Sequence, residues 1–172
     1  MIFINFKTYP QGTGGNAIKL AQICEKVDRE TGVSIIPCVQ AIDLSSIVKT
    51  VKIPVWVQHL DPVLPGKNTG FVTAAAVKNA GGQGTLLNHS EHPIEAGDLK
   101  KAIQLVGEND LKTMVLVDNL QTAVEIDKLA PDYVGIEEPS LIASKTAMVD
   151  LPKTKQKIID FVKVIKNSQP LV

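Results

Sequence analysis

A lysine, a histidine and several glutamates stand where apolar runs of this chain break off. Lys7 follows IFIN with Phe6, His89 and Glu91 follow GTLLN, and the pair Glu137-Glu138 follows YVGI. In parallel α/β folds, chemistry collects at the carboxyl ends of strands. Three such ends would together supply a fixed positive charge, a neutral hydrogen-bond donor and a carboxylate base, which is the equipment for moving a proton. The change of character is sharpest in GTLLNHSEHP, residues 84–93. Two leucines are followed at once by Asn88, His89, Ser90 and Glu91, all able to donate, accept or titrate, and Pro93 blocks a regular continuation.

Each of these residues has a plainer reading by itself. A single histidine after a strand is commonly a cap or loop residue, a lone lysine a surface residue, and Glu137 with Glu138 a solvated pair. Coincidence on one end of one sheet is what favours chemistry. His59 and Asp61 close another run, but no third ligand at usable spacing accompanies them, so no metal is expected there. Asn88-His89-Ser90 has the form of a glycosylation sequon, which carries no weight without signs of secretion.

The elements that must position these groups alternate along the whole chain. Ile2–Phe6 reads as a strand, followed by a helix over residues 15–30 with Ala17, Leu20, Ala21, Cys24 and Val27 on one face and a stop signal at Gly32. Val33–Cys38, Val55–Gln58, Gly84–Asn88, Thr113–Val117 and Tyr133–Ile136 read as further strands. Helical patterns fall between them: one through Leu44, Ile47 and Val48, then Thr73–Ala80, Asp98–Val106 and Thr122–Leu129. A strongly amphipathic helix, KQKIIDFVKVI, places Ile158, Phe161, Val162 and Ile165 on one face, and Pro170–Val172 opens a seventh strand. Strands apolar on both faces, alternating with helices, imply a parallel sheet in one domain spanning residues 1–172. The segment after the first strand, KTYPQGTGG, matches neither GxxxxGK[ST] nor GxGxxG, so a (β/α)8 barrel is preferred to an open doubly wound sheet.

Bulk properties narrow the function classes. Lys plus Arg and Asp plus Glu number 18 each, so the net charge is zero and neither nucleic acid nor an acidic membrane is an expected partner. No apolar run reaches the length of a membrane span, and the N-terminus does not read as a signal peptide. Cys24 and Cys38 read as buried reduced thiols. A cytoplasmic enzyme or binding domain is the default expectation.

The blocks NFKTY (residues 5–9), AIDL (41–44), QHLDPVLPGKNTG (58–70), GTLLNHSE (84–91) and DYVGIEEPSLI (132–142) resemble the triosephosphate isomerase family, in its short archaeal form. The similarity runs through the chain in order. It implies a TIM barrel that interconverts glyceraldehyde 3-phosphate and dihydroxyacetone phosphate by an enediolate proton shift, without cofactor, in glycolysis and gluconeogenesis. It implies that Asn5, Phe6 and Lys7 contact substrate, that Lys7 offsets the charge of the enediolate and phosphate, and that His89 is the electrophile. A neutral imidazole at that position is a known property of the family. Glu91 matches a supporting carboxylate and Glu137 the base, chosen over Glu138 by position in the block. Ile142 falls where the lid meets substrate. Thr69 falls in a loop that reaches a neighbouring subunit, which implies a homo-oligomer, dimer or tetramer.

Departures from the family pattern sharpen the expectations. Where the family has arginine after the Glu91 position, this chain has His92-Pro93. Where the family has Glu-Pro-Pro it has Glu137-Glu138-Pro139, and the lid reads Leu141-Ile142-Ala143-Ser144-Lys145 without the family's glycines. The family's cysteine on the fifth strand is matched by Val117. Only about six βα units and the start of a seventh strand precede Val172, so the sequence as it stands reads as an incomplete barrel lacking the loops that hold phosphate. The competing reading is a non-catalytic or impaired truncated barrel, kept for ligand binding or subunit assembly. The expectation for the chain ending at Val172 is membership of a longer protein or obligate association.

Overall fold

The computed structural model describes residues 1–142 and 147–172, with the backbone only of Lys153. Seven strands are joined in one parallel sheet in the order β1-β2-β3-β4-β5-β6-β7. Each new strand is added on the same side of the last. That is the strand order of a β/α barrel; a doubly wound sheet reverses direction at a switch point. The elements fall into two compact units, Met1–Leu86 with Gln104–Lys112, and Leu87–Ile103 with Thr113–Val172.

The first unit holds β1 (Ile2–Asn5), α1 (Gly14–Thr31), β2 (Ile35–Val39), α2 (Ala41–Val48), β3 (Trp56–Val57), α3 (Ala74–Asn79) and most of β4 (Gly84–Leu87). Every residue of β2 and β4 is buried, as strands covered on both faces must be. Trp56 meets Phe3 edge to face with ring centroids 4.9 Å apart. A Cβ on Gly84 would lie 2.4 Å from the Trp56 ring, so glycine is the residue that lets the indole cross β4. The chain leaves α1 through Gly32 at φ 69°, a left-handed cap whose N–H donates to Asp28 O.

The expected inner face of α1 needs one correction. Ala17, Ala21 and Cys24 are buried, but Val27 is 38% exposed. At about 100° per residue, Val27 lies at the edge of the stripe, and Asp28 takes the inward position of the last turn, where its Oδ2 accepts from Ile35 N at 2.8 Å. Both cysteines are buried and unpaired, and burial pushes both thiols up.

The second unit holds the start of α4 (Ala96–Glu108), most of β5 (Lys112–Val117), α5 (Leu120–Asp127), β6 (Tyr133–Ile136), α6 (Pro152–Val164) and β7 (Gln169–Leu171). Phe161 and Ile165 are buried as the periodicity predicts, whereas Val162 is 47% exposed. It too sits at the border of an apolar arc whose centre is filled by Thr154, Phe161 and Ile165. Asp127, only 3% exposed, closes the α6–β7 connection. Its carboxylate accepts from Lys166 N, Asn167 N and Ser168 N at 2.8–3.1 Å, and from Asn167 Nδ2 at 3.2 Å. Burial pushes this carboxyl up, but those donors outweigh it and hold it below the ordinary carboxylate range.

Candidate active site

In the second unit, the turn after β4 is built by Asn88. It adopts φ 59°, a left-handed conformation that asparagine tolerates better than most residues. Its Nδ2 donates to Leu116 O at 2.9 Å, and its Oδ1 accepts from Ile94 N at 3.0 Å, so one side chain ties both ends of the turn. His89 is thereby placed on a short closed loop, its carbonyl accepting from His92 N at 2.7 Å.

The His89 ring is 12% exposed and both its nitrogens are engaged. Glu91 N donates to Nδ1 at 3.0 Å, so that nitrogen carries a lone pair. The hydrogen-bond network therefore assigns the proton of a neutral ring to Nε2. Nε2 lies 3.1 Å from Glu137 Oε1, and Glu137 Oε2 accepts from Ser90 N at 3.1 Å. Glu91 Oε2 is 3.8 Å from Nδ1, too far for a hydrogen bond and on a nitrogen already occupied, so we read it as a loose neighbour and not as an ion-pair partner. Glu137 itself is 16% exposed, and its N–H continues the sheet ladder to Val117 O at 2.8 Å. A half-buried carboxylate and an N–H donor thus stand 3.1 Å apart, close enough for one small molecule to meet both.

In the first unit, the end of β1 is bent by Lys7 at φ 50°. Asn5 Oδ1 accepts from Lys7 N at 2.9 Å, and Gln58 Nε2 donates to Lys7 O at 2.9 Å and to Cys38 O at 3.1 Å. Both main-chain groups of a left-handed lysine are thus held by side chains. Phe6 is 3% exposed, so its ring belongs to the core and only its main chain can face a ligand. Thr8, Gln40, Ile42, Gln58, His59 and Val72 line a cavity of about 380 Å3. His59 Nε2 sits 3.5 Å from Asp61 Oδ1, and Asp61 Oδ2 accepts from Val72 N at 2.7 Å, so this pair braces the loop that carries the exposed Thr69. Among the described residues no group of three or more His, Cys, Asp or Glu is placed to hold a metal ion.

Comparison with known proteins decides the family. The family model for triosephosphate isomerase matches residues 1–166. The chain belongs to the triosephosphate isomerase family. It is 39% identical over 171 residues to the triosephosphate isomerase of Methanothermus fervidus, covering 99% of this chain and 76% of that protein. It is 40% identical over 144 residues to that of Methanocaldococcus jannaschii, covering 84% of this chain and 66% of that protein. A crystal structure of triosephosphate isomerase from Bartonella henselae matches the fold with a TM-score of 0.68 at 13% identity, over 99% of this chain and 90% of that one. The fold is accordingly that of the TIM barrel.

Within this triosephosphate isomerase family member, the second glutamate of the Glu137-Glu138 pair is not simply solvated. Glu138 Oε2 accepts from Lys157 Nζ at 3.0 Å and Oε1 from Ser140 Oγ at 3.1 Å. The Lys157 ammonium first, and the Ser140 hydroxyl next, hold its carboxyl below the ordinary range. Ile142 is half-buried and ends a single turn over Pro139–Leu141, its N–H donating to Pro139 O at 3.3 Å. Ala143, Ser144 and Lys145, whose lid sequence departs from the family, lie outside the described residues. Sequence reasoning missed the clamp of Gln58 on Lys7 and the donor Ser90 N. Gln58 ends an apolar run as Asn88 does, and that was the available signal. Lys157 gave none, because its partner is 19 residues away and brought near only by packing.

Proposed function

We propose that this chain performs its family's reaction, the interconversion of glyceraldehyde 3-phosphate and dihydroxyacetone phosphate, with Glu137 as base, His89 as electrophile and Lys7 as the charge that offsets the enediolate and phosphate. The observation that carries the reading is the His89–Glu137 contact at 3.1 Å with Nδ1 already capped by Glu91 N. Glu137 takes a proton from the carbon beside the carbonyl. As negative charge grows on the carbonyl oxygen, that oxygen replaces the carboxylate as acceptor of the Nε2 proton. The hydroxyl proton passes to the former carbonyl oxygen by way of His89 Nε2, and Glu137 returns its proton to the neighbouring carbon. One hydrogen thus moves between the carbons and one between the oxygens, and the isomerisation balances without any co-reactant. A neutral donor suits this step because it stabilises the developing oxyanion and keeps its own proton in the ground state. Asn5 and the main chain at Phe6 accompany Lys7 as substrate contacts, Ile142 covers the substrate, and Glu91 keeps the His89 turn polar.

The 172 residues belong to one β/α barrel domain, act in the cytoplasm, and self-associate through the loop carrying Thr69. Exposed Leu64 and Phe71 on the same loop support association. No described helix is long and apolar enough to cross a membrane.

Glu137→Gln, assayed for isomerisation of triose phosphate, tests the base. The expected result is a fall in kcat of about 10²–10⁴ with substrate affinity retained. Turnover equal to the parent would remove Glu137 from the mechanism. Light scattering tests the association: a monomer at all concentrations would remove it.

A further inference from the structure

We propose that Glu138 and Lys157 are positioning residues for Glu137: Lys157 and Ser140 hold the Glu138 carboxylate, and this fixes the extended backbone from which Glu137 reaches His89. The inference rests on the reading of Glu137 as the base.

Consecutive residues of an extended chain project to opposite sides. Glu138 has φ −113° and ψ 100°, so its carboxylate and that of Glu137 point apart. They are caught by different partners: Glu137 by His89 Nε2 and Ser90 N, Glu138 by Lys157 and Ser140. The peptide between them has only two soft dihedrals per residue to absorb motion. Glu137 N is fixed to Val117 O at one end, and the Glu138 side chain is fixed to α6 at the other. With both ends held, the direction of the Glu137 carboxylate is defined before any substrate arrives.

The anchor is a firm one. Lys157 is 25% exposed and Glu138 26%, so the pair is better shielded from water than a surface ion pair. α6 itself is seated by the fully buried Phe161, one helical turn beyond Lys157. The sequence shows why such an anchor is required here. Where the family has a proline after its base, this chain has Glu138. A proline would lock φ near −65°, and the observed −113° lies outside that range. The covalent restraint is absent, and a carboxylate with two donors stands in its place. It also pairs one of two adjacent carboxylates with a cation.

Four variants of the whole chain test this: Glu137→Gln, Glu138→Gln, Lys157→Met and Lys157→Arg. The first readout is the 15N imidazole signal of His89, assigned against a His89→Ala sample. Glu137→Gln removes the charge next to Nε2 and defines the signal of a ring without its carboxylate. Lys157→Met and Glu138→Gln are expected to move the His89 signal towards that position, and Lys157→Arg to leave it at the parent value. In the isomerase assay the same two variants lose about tenfold in kcat with KM unchanged, less than the 10²-fold that a 1 Å misplacement can cost. A His89 signal in both Lys157→Met and Glu138→Gln that superimposes on the parent overturns the proposal. Should Lys157→Met not fold, the isosteric Glu138→Gln decides alone. The signal is read whether or not the chain turns over, so failure of positioning is distinct from failure of the isomerase reading, which parent turnover and Glu137→Gln decide.

Discussion

The two units solve the placement of a polar group at a strand end in opposite ways. At the end of β1, side chains serve the backbone: Asn5 and Gln58 occupy the N–H and C=O of Lys7, and so hold a left-handed bend that points a long cation. After β4, the backbone serves the side chains: Glu91 N caps His89 Nδ1, and Ser90 N caps Glu137 Oε2. The difference follows the chemistry. A lysine is a compact charge on a flexible stem and needs chiefly to be aimed. A histidine and a carboxylate must also be given a tautomer and a free lone pair, and only directed hydrogen bonds do that.

Paired substitutions would break or sharpen that contrast. His89→Ala removes the donor itself, and loss of one such donor costs about 10²–10³ in kcat. Gln58→Leu removes a brace on the Lys7 and Cys38 carbonyls and touches no titrating group. It is expected to cost about tenfold in kcat/KM, as a small misplacement does. Steady-state kinetics on both, with circular dichroism as a check of folding, would measure the gap. Equal losses would mean that the bend at Lys7 matters as much as the donor at His89.

Stability offers a second contrast, with smaller effects. Asp127→Ala in the second unit leaves the N–H groups of Lys166, Asn167 and Ser168 without their acceptor. The expected cost is about 3 kcal/mol, since these bonds go to a charged group. The carboxyl is held below its ordinary value in the folded state. Its contribution is therefore complete above the unfolded carboxylate pKa of about 4 and is lost as pH falls through the lower, folded value. Urea melts between neutral pH and pH about 3 should show the parent losing more stability than Asp127→Ala over that window. A parallel loss in both would refute the clamp.

The smallest effects belong to the helix caps, one in each unit. Thr73 Oγ1 accepts from Ala76 N at 3.1 Å at the start of α3, and Asn119 Oδ1 from Thr122 N at 2.9 Å at the start of α5. Each change to alanine should cost about 1 kcal/mol. Similar costs in the two units would show that they answer a local change alike. A large excess in one would locate the weaker unit.

Much of this was written in the sequence. Strand–helix alternation, the all-apolar strands and the absence of a phosphate loop fixed a parallel sheet of barrel type, because periodicity and turn chemistry are local properties. The break in GTLLNHSEHP marked a strand mouth for the same reason: apolar burial ends within one residue there. The motif blocks located Lys7, His89 and Glu137 by order along the chain. Boundaries were less legible. Val27 and Val162 fit a helical stripe by spacing, yet both are exposed, since the width of a buried arc depends on what packs against it.

What the tertiary structure alone decided is which groups meet. No spacing in the sequence couples Glu137 to His89 or to Ser90, 47 residues before it, or Glu138 to Lys157. Nor does any spacing tell that Asp127 would receive the loop at residues 166–168. The tautomer of His89 is likewise a tertiary result, because it depends on where one backbone N–H points. Residue types are chosen one position at a time, but a hydrogen bond is a relation of distance and direction between two positions, and it exists only once packing has set both.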